Sequence, residues 1–168
     1  MKKRQIGFTL IELIITIIIV GILGAVALPS FVAFLRNTEL RSASESTLQG
    51  LQLARAEAVR RNERVRVVFN ANTSWTVSTD AGVSIQSKSA REGSPNATLS
   101  FGPVAAARRV TFNSIGRVVP NLDSSLSITT INFAATGSNI SRRINVTTGG
   151  QIQICDPNVN TAGDPRKC

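Results

Sequence analysis

Gly7–Pro29 reads GFTLIELIITIIIVGILGAVALP, and the meaning of this stretch decides the rest of the chain. It is apolar almost throughout. From Phe8 to Leu35 the one ionisable side chain is Glu12, in a run longer than the ~20 residues that span a bilayer core. Lys2, Lys3 and Arg4 stand just before it and hold that end in the cytoplasm by the positive-inside rule. An ionised carboxylate deep in lipid costs about 2.5–3.5 kcal/mol on insertion scales, so such a group normally has a partner and a task.

Three readings compete for this segment. A plain membrane anchor fits the length. A secretory signal peptide fits the basic start, the apolar run and a cleavage site at Ala25-Val26-Ala27, which would release a soluble periplasmic protein beginning at Leu28. Neither explains Glu12. The third reading cuts after Gly7 and keeps the helix. Phe8 then carries a new α-amino charge, one helical turn from Glu12 or opposite the Glu12 of a neighbouring copy. Pairing the two offsets part of the cost of burying each. If the amine belongs to a neighbour, the carboxylate becomes a device for docking and register.

The residues Gly7, Phe8, Thr9, Leu10, Ile11 and Glu12, after a short basic leader and before an Ile-rich helix with Pro29, resemble the processing signal of type IV pilins and type II secretion pseudopilins. The resemblance implies that a membrane prepilin peptidase cleaves between Gly7 and Phe8 and methylates the Phe8 amine. It also implies that Glu12 is the carboxylate used in assembly, and that flexibility at Pro29 serves filament packing. On its own chemistry, Pro29 is expected to kink or locally open the helix. Gly21 and Gly24 would allow close helix approach, but they do not form a GxxxG pair, and ordinary glycine in a membrane helix is the blander reading.

Working outward, Ser30–Asn62 turns amphipathic, with Leu40, Ala43, Leu48, Leu51, Ala54 and Ala58 near helical spacing. Arg41–Glu45 and Glu57–Arg61 are spaced as i,i+4 pairs, and Asn62 is placed to cap the C-terminus. Beyond it the period changes to short β-type runs. These are Val65–Phe69, Trp75–Ser78, Val83–Gln86, Thr98–Phe101, Arg109–Phe112, Gly116–Val119, Leu126–Phe133, Arg142–Thr147 and Gln151–Cys155, separated by turn residues. The expected fold is α+β: a long N-terminal transmembrane and amphipathic helix packed on an antiparallel β-sheet head, as in type IV pilins. The expected divisions are a leader at 1–7, an assembly helix at 8–29, an amphipathic helix at 30–62 and a periplasmic head at 63–168. ARAEAVRR (Ala54–Arg61), VTFNSIGRV (Val110–Val118) and the last strand after Gly149-Gly150 resemble the GspH/FimT group of minor pilins and pseudopilins. That implies a non-enzymatic subunit near a filament tip, partnered by other pilins through its helix and carried first by the inner membrane as a single pass.

Composition narrows the chemistry. The 168 residues hold no His, which removes the commonest general base and metal ligand. No cofactor, metal site or catalytic group is expected. Cys155 and Cys168 are thirteen positions apart and suit a local disulfide in an oxidising compartment, worth about 3 kcal/mol by loop closure. Four Asn-x-Ser/Thr matches, at Asn72, Asn96, Asn139 and Asn145, read as β-edge chemistry. The formal net charge is +9, and loss of the leader's three cations leaves six.

The cations raise a second functional reading, DNA capture at a filament tip through Arg117, Arg142, Arg143, Arg166 and Lys167. Some FimT-type proteins implicated in DNA uptake carry Gly-Arg-x-Arg before a cysteine in the last strand. The corresponding residues here are Gly150-Gln151-Ile152-Gln153, with glutamine at both arginine positions. The absence of Tyr and the single Trp75 disfavour a stacking platform for single strands. A solvated basic face, or one that meets acidic neighbouring subunits, is the alternative.

Overall fold

The computed structural model describes residues 9–70 and 72–168. They begin with one long helix, α1 (Leu10–Arg61). Thr9 is its N-cap, and its Oγ1 accepts from the Glu12 N–H at 3.3 Å. Asn62 ends it in the left-handed conformation (φ 54°), with its N–H on the carbonyls of Ala58 and Val59. At Pro29, where a kink or a local opening is expected, the helix is continuous. Proline forfeits one backbone hydrogen bond there, and the turns on either side carry the helix across the gap.

Nine strands follow among the described residues: β1 (Val65–Phe69), β2 (Trp75–Thr79), β3 (Ser84–Lys88), β4 (Ala97–Gly102), β5 (Arg109–Phe112), β6 (Val118–Val119), β7 (Thr130–Ala135), β8 (Arg142–Val146) and β9 (Ile152–Cys155). They form two antiparallel sheets, ordered β3-β2-β1-β5-β6 and β4-β7-β8-β9. Alternation sorts the side chains. Val65, Val67, Phe69, Trp75, Val77, Val110 and Phe112 face inward from the first sheet, and Ile131, Phe133, Ile144 and Val146 from the second. Strands of both sheets touch α1, and the shared core is built around the half of the helix that carries Leu40, Ala43, Leu51, Ala54 and Ala58.

That half of α1 is small where the sheets come close. A Cβ placed on Gly50 would lie 3.0 Å from the indole of buried Trp75. At the far end of the head two turns interlock. A Cβ on Gly150 would lie 1.9 Å from the Gly116 carbonyl, so only glycine fits, and its φ of +83° requires glycine as well. The Val118 N–H reaches the Thr148 carbonyl at 3.1 Å, which ties the edge of the first sheet to the β8–β9 turn.

The expected strand Leu126–Phe133 is corrected at its start. Pairing with β4 and β8 begins at Thr130. Before that the chain crosses between sheets. Ile128 N–H donates to Arg109 O in the first sheet, and Thr129 N–H donates to Gly102 O in the second. Of the two helix pairs expected from spacing, Glu57–Arg61 forms at 2.6 Å and Arg41–Glu45 does not. Arg41 and Glu45 are exposed, where water competes with a weak pair.

Two of the four Asn-x-Ser/Thr asparagines clamp the point where α1 leaves the head. Asn139 Oδ1 accepts from Asn37 Nδ2 at 2.7 Å, and Asn96 Nδ2 donates to the Glu39 carboxylate at 3.0 Å. Glu39 also pairs with Arg36 at 3.2 Å.

Candidate functional site

The first candidate site is the bare half of α1. Seventeen large apolar side chains between Leu10 and Leu35 are exposed, whereas the head covers the helix from Leu40 onward. This is a helix long and apolar enough to cross a membrane. At 1.5 Å per residue it extends roughly 38 Å, beyond the ~30 Å of a hydrocarbon core. Each such side chain gains about 1.5–3 kcal/mol on full burial, so leaving this surface in water costs on the order of tens of kcal/mol.

Glu12 lies in the first turn of that half. Thr9-Leu10-Ile11-Glu12 has the spacing of a capping box, which the sequence reading passed over. One half of the box is formed, the Thr9 Oγ1 contact. Among the described residues the Glu12 carboxylate has no hydrogen-bond or ion-pair partner. The helix N-terminus itself favours a negative charge there. Gly7 and Phe8, the expected processing residues, lie outside the described residues. Gly21 and Gly24 have open space where a Cβ would be.

The disulfide joins Cys155, only 2% exposed, to Cys168. It brings the C-terminal loop back onto β9. Asp156 N–H donates to Arg166 O at 2.7 Å, and the backbones of Asp156 and Lys167 pair as an isolated parallel β-bridge. The Arg166 guanidinium, 2.8 Å from Asp164, holds that carboxyl down at about 2.

The five cations considered for DNA do not form one surface. Arg142 and Arg143 are consecutive on β8 and so point to opposite sides of the sheet. Arg143 Nε donates to Asn132 Oδ1 at 2.6 Å, and Arg166 is engaged by Asp164. Arg117 lies on the β5–β6 turn beside the β8–β9 turn, a strand length of roughly 13 Å from the start of β8. A denser basic group closes α1. Glu57 accepts from Arg60 and Arg61, each at 2.6 Å, and Arg60 above all, then Arg61, lowers its pKa to about 2. Arg64 pairs with Asp80 at 3.0 Å and also reaches the Pro120 carbonyl.

A family profile described as "Type II transport protein GspH" matches residues 43–166. The chain belongs to the GspH family. A second profile, the prokaryotic N-terminal methylation motif, matches residues 2–28 of this GspH-family chain. The type IV major fimbrial protein FimA of Dichelobacter nodosus is 42% identical over 57 residues, which cover 34% of this chain and 35% of FimA. The match thus spans about a third of that relative's length. Among solved structures, the type IV minor pilin FimU of Pseudomonas aeruginosa superposes with a TM-score of 0.53 at 22% identity, covering 72% of this chain and 91% of FimU. The minor pseudopilin EpsH from the type 2 secretion system of Vibrio cholerae gives 0.54 at 18% identity, covering 72% and 99%. At these identities the likeness is one of fold. The fold is the type IV pilin-like one: a long N-terminal helix packed on antiparallel sheets.

Proposed function

We propose that the chain is a minor pilin or pseudopilin, a structural subunit incorporated near the tip of a type IV pilus or type II secretion pseudopilus. The observation that carries this reading is the bare half of α1, left exposed beside a head that has its own buried core. Prepilin peptidase cuts between Gly7 and Phe8 and methylates the new amine. The helix then waits in the inner membrane as a single pass, with the head in the periplasm. The cationic leader, Lys2 to Arg4, sets that direction.

Leaving lipid uncovers apolar surface worth tens of kcal/mol, so extraction is feasible only as other helices of the same kind replace the lipid. Glu12 gives that packing a register. In lipid its charge is costly. Against the Phe8 amine of a neighbouring subunit the two charges meet in low dielectric, and burial of both becomes favourable on assembly. Pro29 stays within an unbroken helix but removes one backbone bond, giving a point of bending as helices pack.

Glu12→Ala separates processing from assembly. The expected result is a chain that is cleaved and methylated at the wild-type rate and is reduced at least about tenfold in filaments. Normal incorporation of this variant would overturn the docking role.

A further inference from the structure

Outside the bare half of α1 the described residues expose six large apolar side chains: Val59, Val83, Val104, Ile115, Leu122 and Leu126. Single exposed aliphatics are ordinary. Val59 and Ile115 are not single. The Val59 methyl lies 3.4 Å from where a Gly116 Cβ would be, so the turn that carries Ile115 sits against the last turns of α1. Val59 is 51% exposed and Ile115 69%. Two residues past Gly116, Val118 lines an apolar groove of about 350 Å³ with Val119, Pro120 and Leu126.

Ile115 is held firmly for an exposed residue. Asn113 Oδ1 accepts the N–H groups of Ile115 at 3.2 Å and Arg117 at 2.9 Å. Asn113 N–H bonds Arg117 O at 2.9 Å and closes the turn. Gly150 packs beneath it against the Gly116 carbonyl. An aliphatic side chain at the apex of a braced turn loses little freedom on contact, which is what an interface anchor requires. Arginine rims it. Arg55 Nε donates to Gly116 O at 3.1 Å, and Arg117 is exposed on the turn itself. Among the described residues neither takes part in an ion pair. Arg60 adds a side chain that is largely exposed although it is paired with Glu57.

We infer that the end of the head at the C-terminus of α1 is a docking surface for an acidic protein subunit, with Ile115 and Val59 as its apolar anchor and Arg55, Arg60 and Arg117 as its charged rim. The inference rests on the subunit reading for its direction, since this end is the one furthest along α1 from the bare half. An apolar centre with an arginine rim is the composition of a protein–protein contact. A phosphate backbone would use the rim and leave Ile115 and Val59 unengaged.

The test uses the full chain in detergent micelles and fluorescently labelled probes. These are an amphipathic Leu/Glu peptide, its Leu/Lys and Ser/Glu counterparts, and a short DNA duplex. The Leu/Glu peptide is expected to bind at least about tenfold more tightly than the other three. Ile115→Asp, and independently Val59→Asp, should weaken it by about tenfold with the thermal transition of the head unchanged. Arg117→Gln should reduce the salt dependence of binding. Failure of the Leu/Glu peptide to bind, binding indifferent to both aspartate variants, or tighter binding of the duplex would overturn the inference. The assay does not involve Glu12 or processing, so its failure leaves the assembly reading to be judged by the Glu12→Ala experiment.

Discussion

The two halves of α1 are one helix with two different relations to their surroundings. Between Leu10 and Leu35 large apolar side chains point outward on all sides and stay exposed among the described residues. Between Leu40 and Ala58 the buried positions recur every three or four residues and are mostly small: Ala43, Ser44, Thr47, Gly50, Ala54 and Ala58. Backbone geometry is common to both. What differs is who supplies the cover. In the second half two sheets of the same chain supply it, and small side chains let them approach. In the first half the head supplies none, and on the proposed function the cover comes from lipid and then from other helices. Helix formation therefore says little about where an apolar side chain ends up, and the size and periodicity of the residues say a good deal.

The contrast is easily attacked by matched truncations. Leu51→Ala, in the covered half, should destabilise the head by about 2–5 kcal/mol in denaturant unfolding in micelles. Ile18→Ala, in the bare half, should leave that transition within about 0.5 kcal/mol of wild type. Equal losses at the two positions would mean that the bare half packs on the head, and the division would fail.

A smaller effect is expected where the head closes on itself. Replacing Cys155 and Cys168 by serine releases the C-terminal loop from β9 and should cost about 3 kcal/mol. The loop is not part of the bare half of α1, so incorporation into filaments should survive at permissive temperature. Loss of incorporation with an intact head would place the loop at an interface.

The smallest effect concerns the end of the covered half. Glu57 titrates in the fold at about 2, below its ordinary 4.5, because Arg60 and Arg61 hydrogen-bond its charged form. A lowered carboxylate contributes stability that is fully present above about 4.5 and is lost as the pH falls through about 2. Carboxyl NMR should follow this titration, with fraying of the last turn of α1 in the same range. A Glu57 midpoint near 4.5 would show that the paired geometry is not kept in solution.

Much of this was legible in the residues. The helix, its Asn62 cap and the approximate places of the strands follow from local periodicity and turn chemistry, which act over a few residues. Cysteine spacing made the disulfide a reasonable expectation. The division into two sheets was not legible, because alternation tells which face a residue takes and not which strand it pairs with. Leu126–Thr129 shows the same limit: its β-type residues cross between sheets and belong fully to neither. Gly50 against Trp75 and Gly150 against Gly116 are contacts across long separations, and a lone glycine in the sequence does not reveal its partner. Thr9-x-x-Glu12 is legible as a cap spacing, set inside an apolar run whose length also suits a membrane.

The central claim is that the bare half of α1 stays with the protein and is covered by its neighbours in an assembly. The most direct measurement is the mass of the N-terminal peptide of the native protein purified from its filament or membrane. A chain beginning at N-methylated Phe8, with Glu12 and the whole apolar half retained, is the predicted result. A chain beginning at Leu28, or one that keeps Lys2, Lys3 and Arg4, would contradict it.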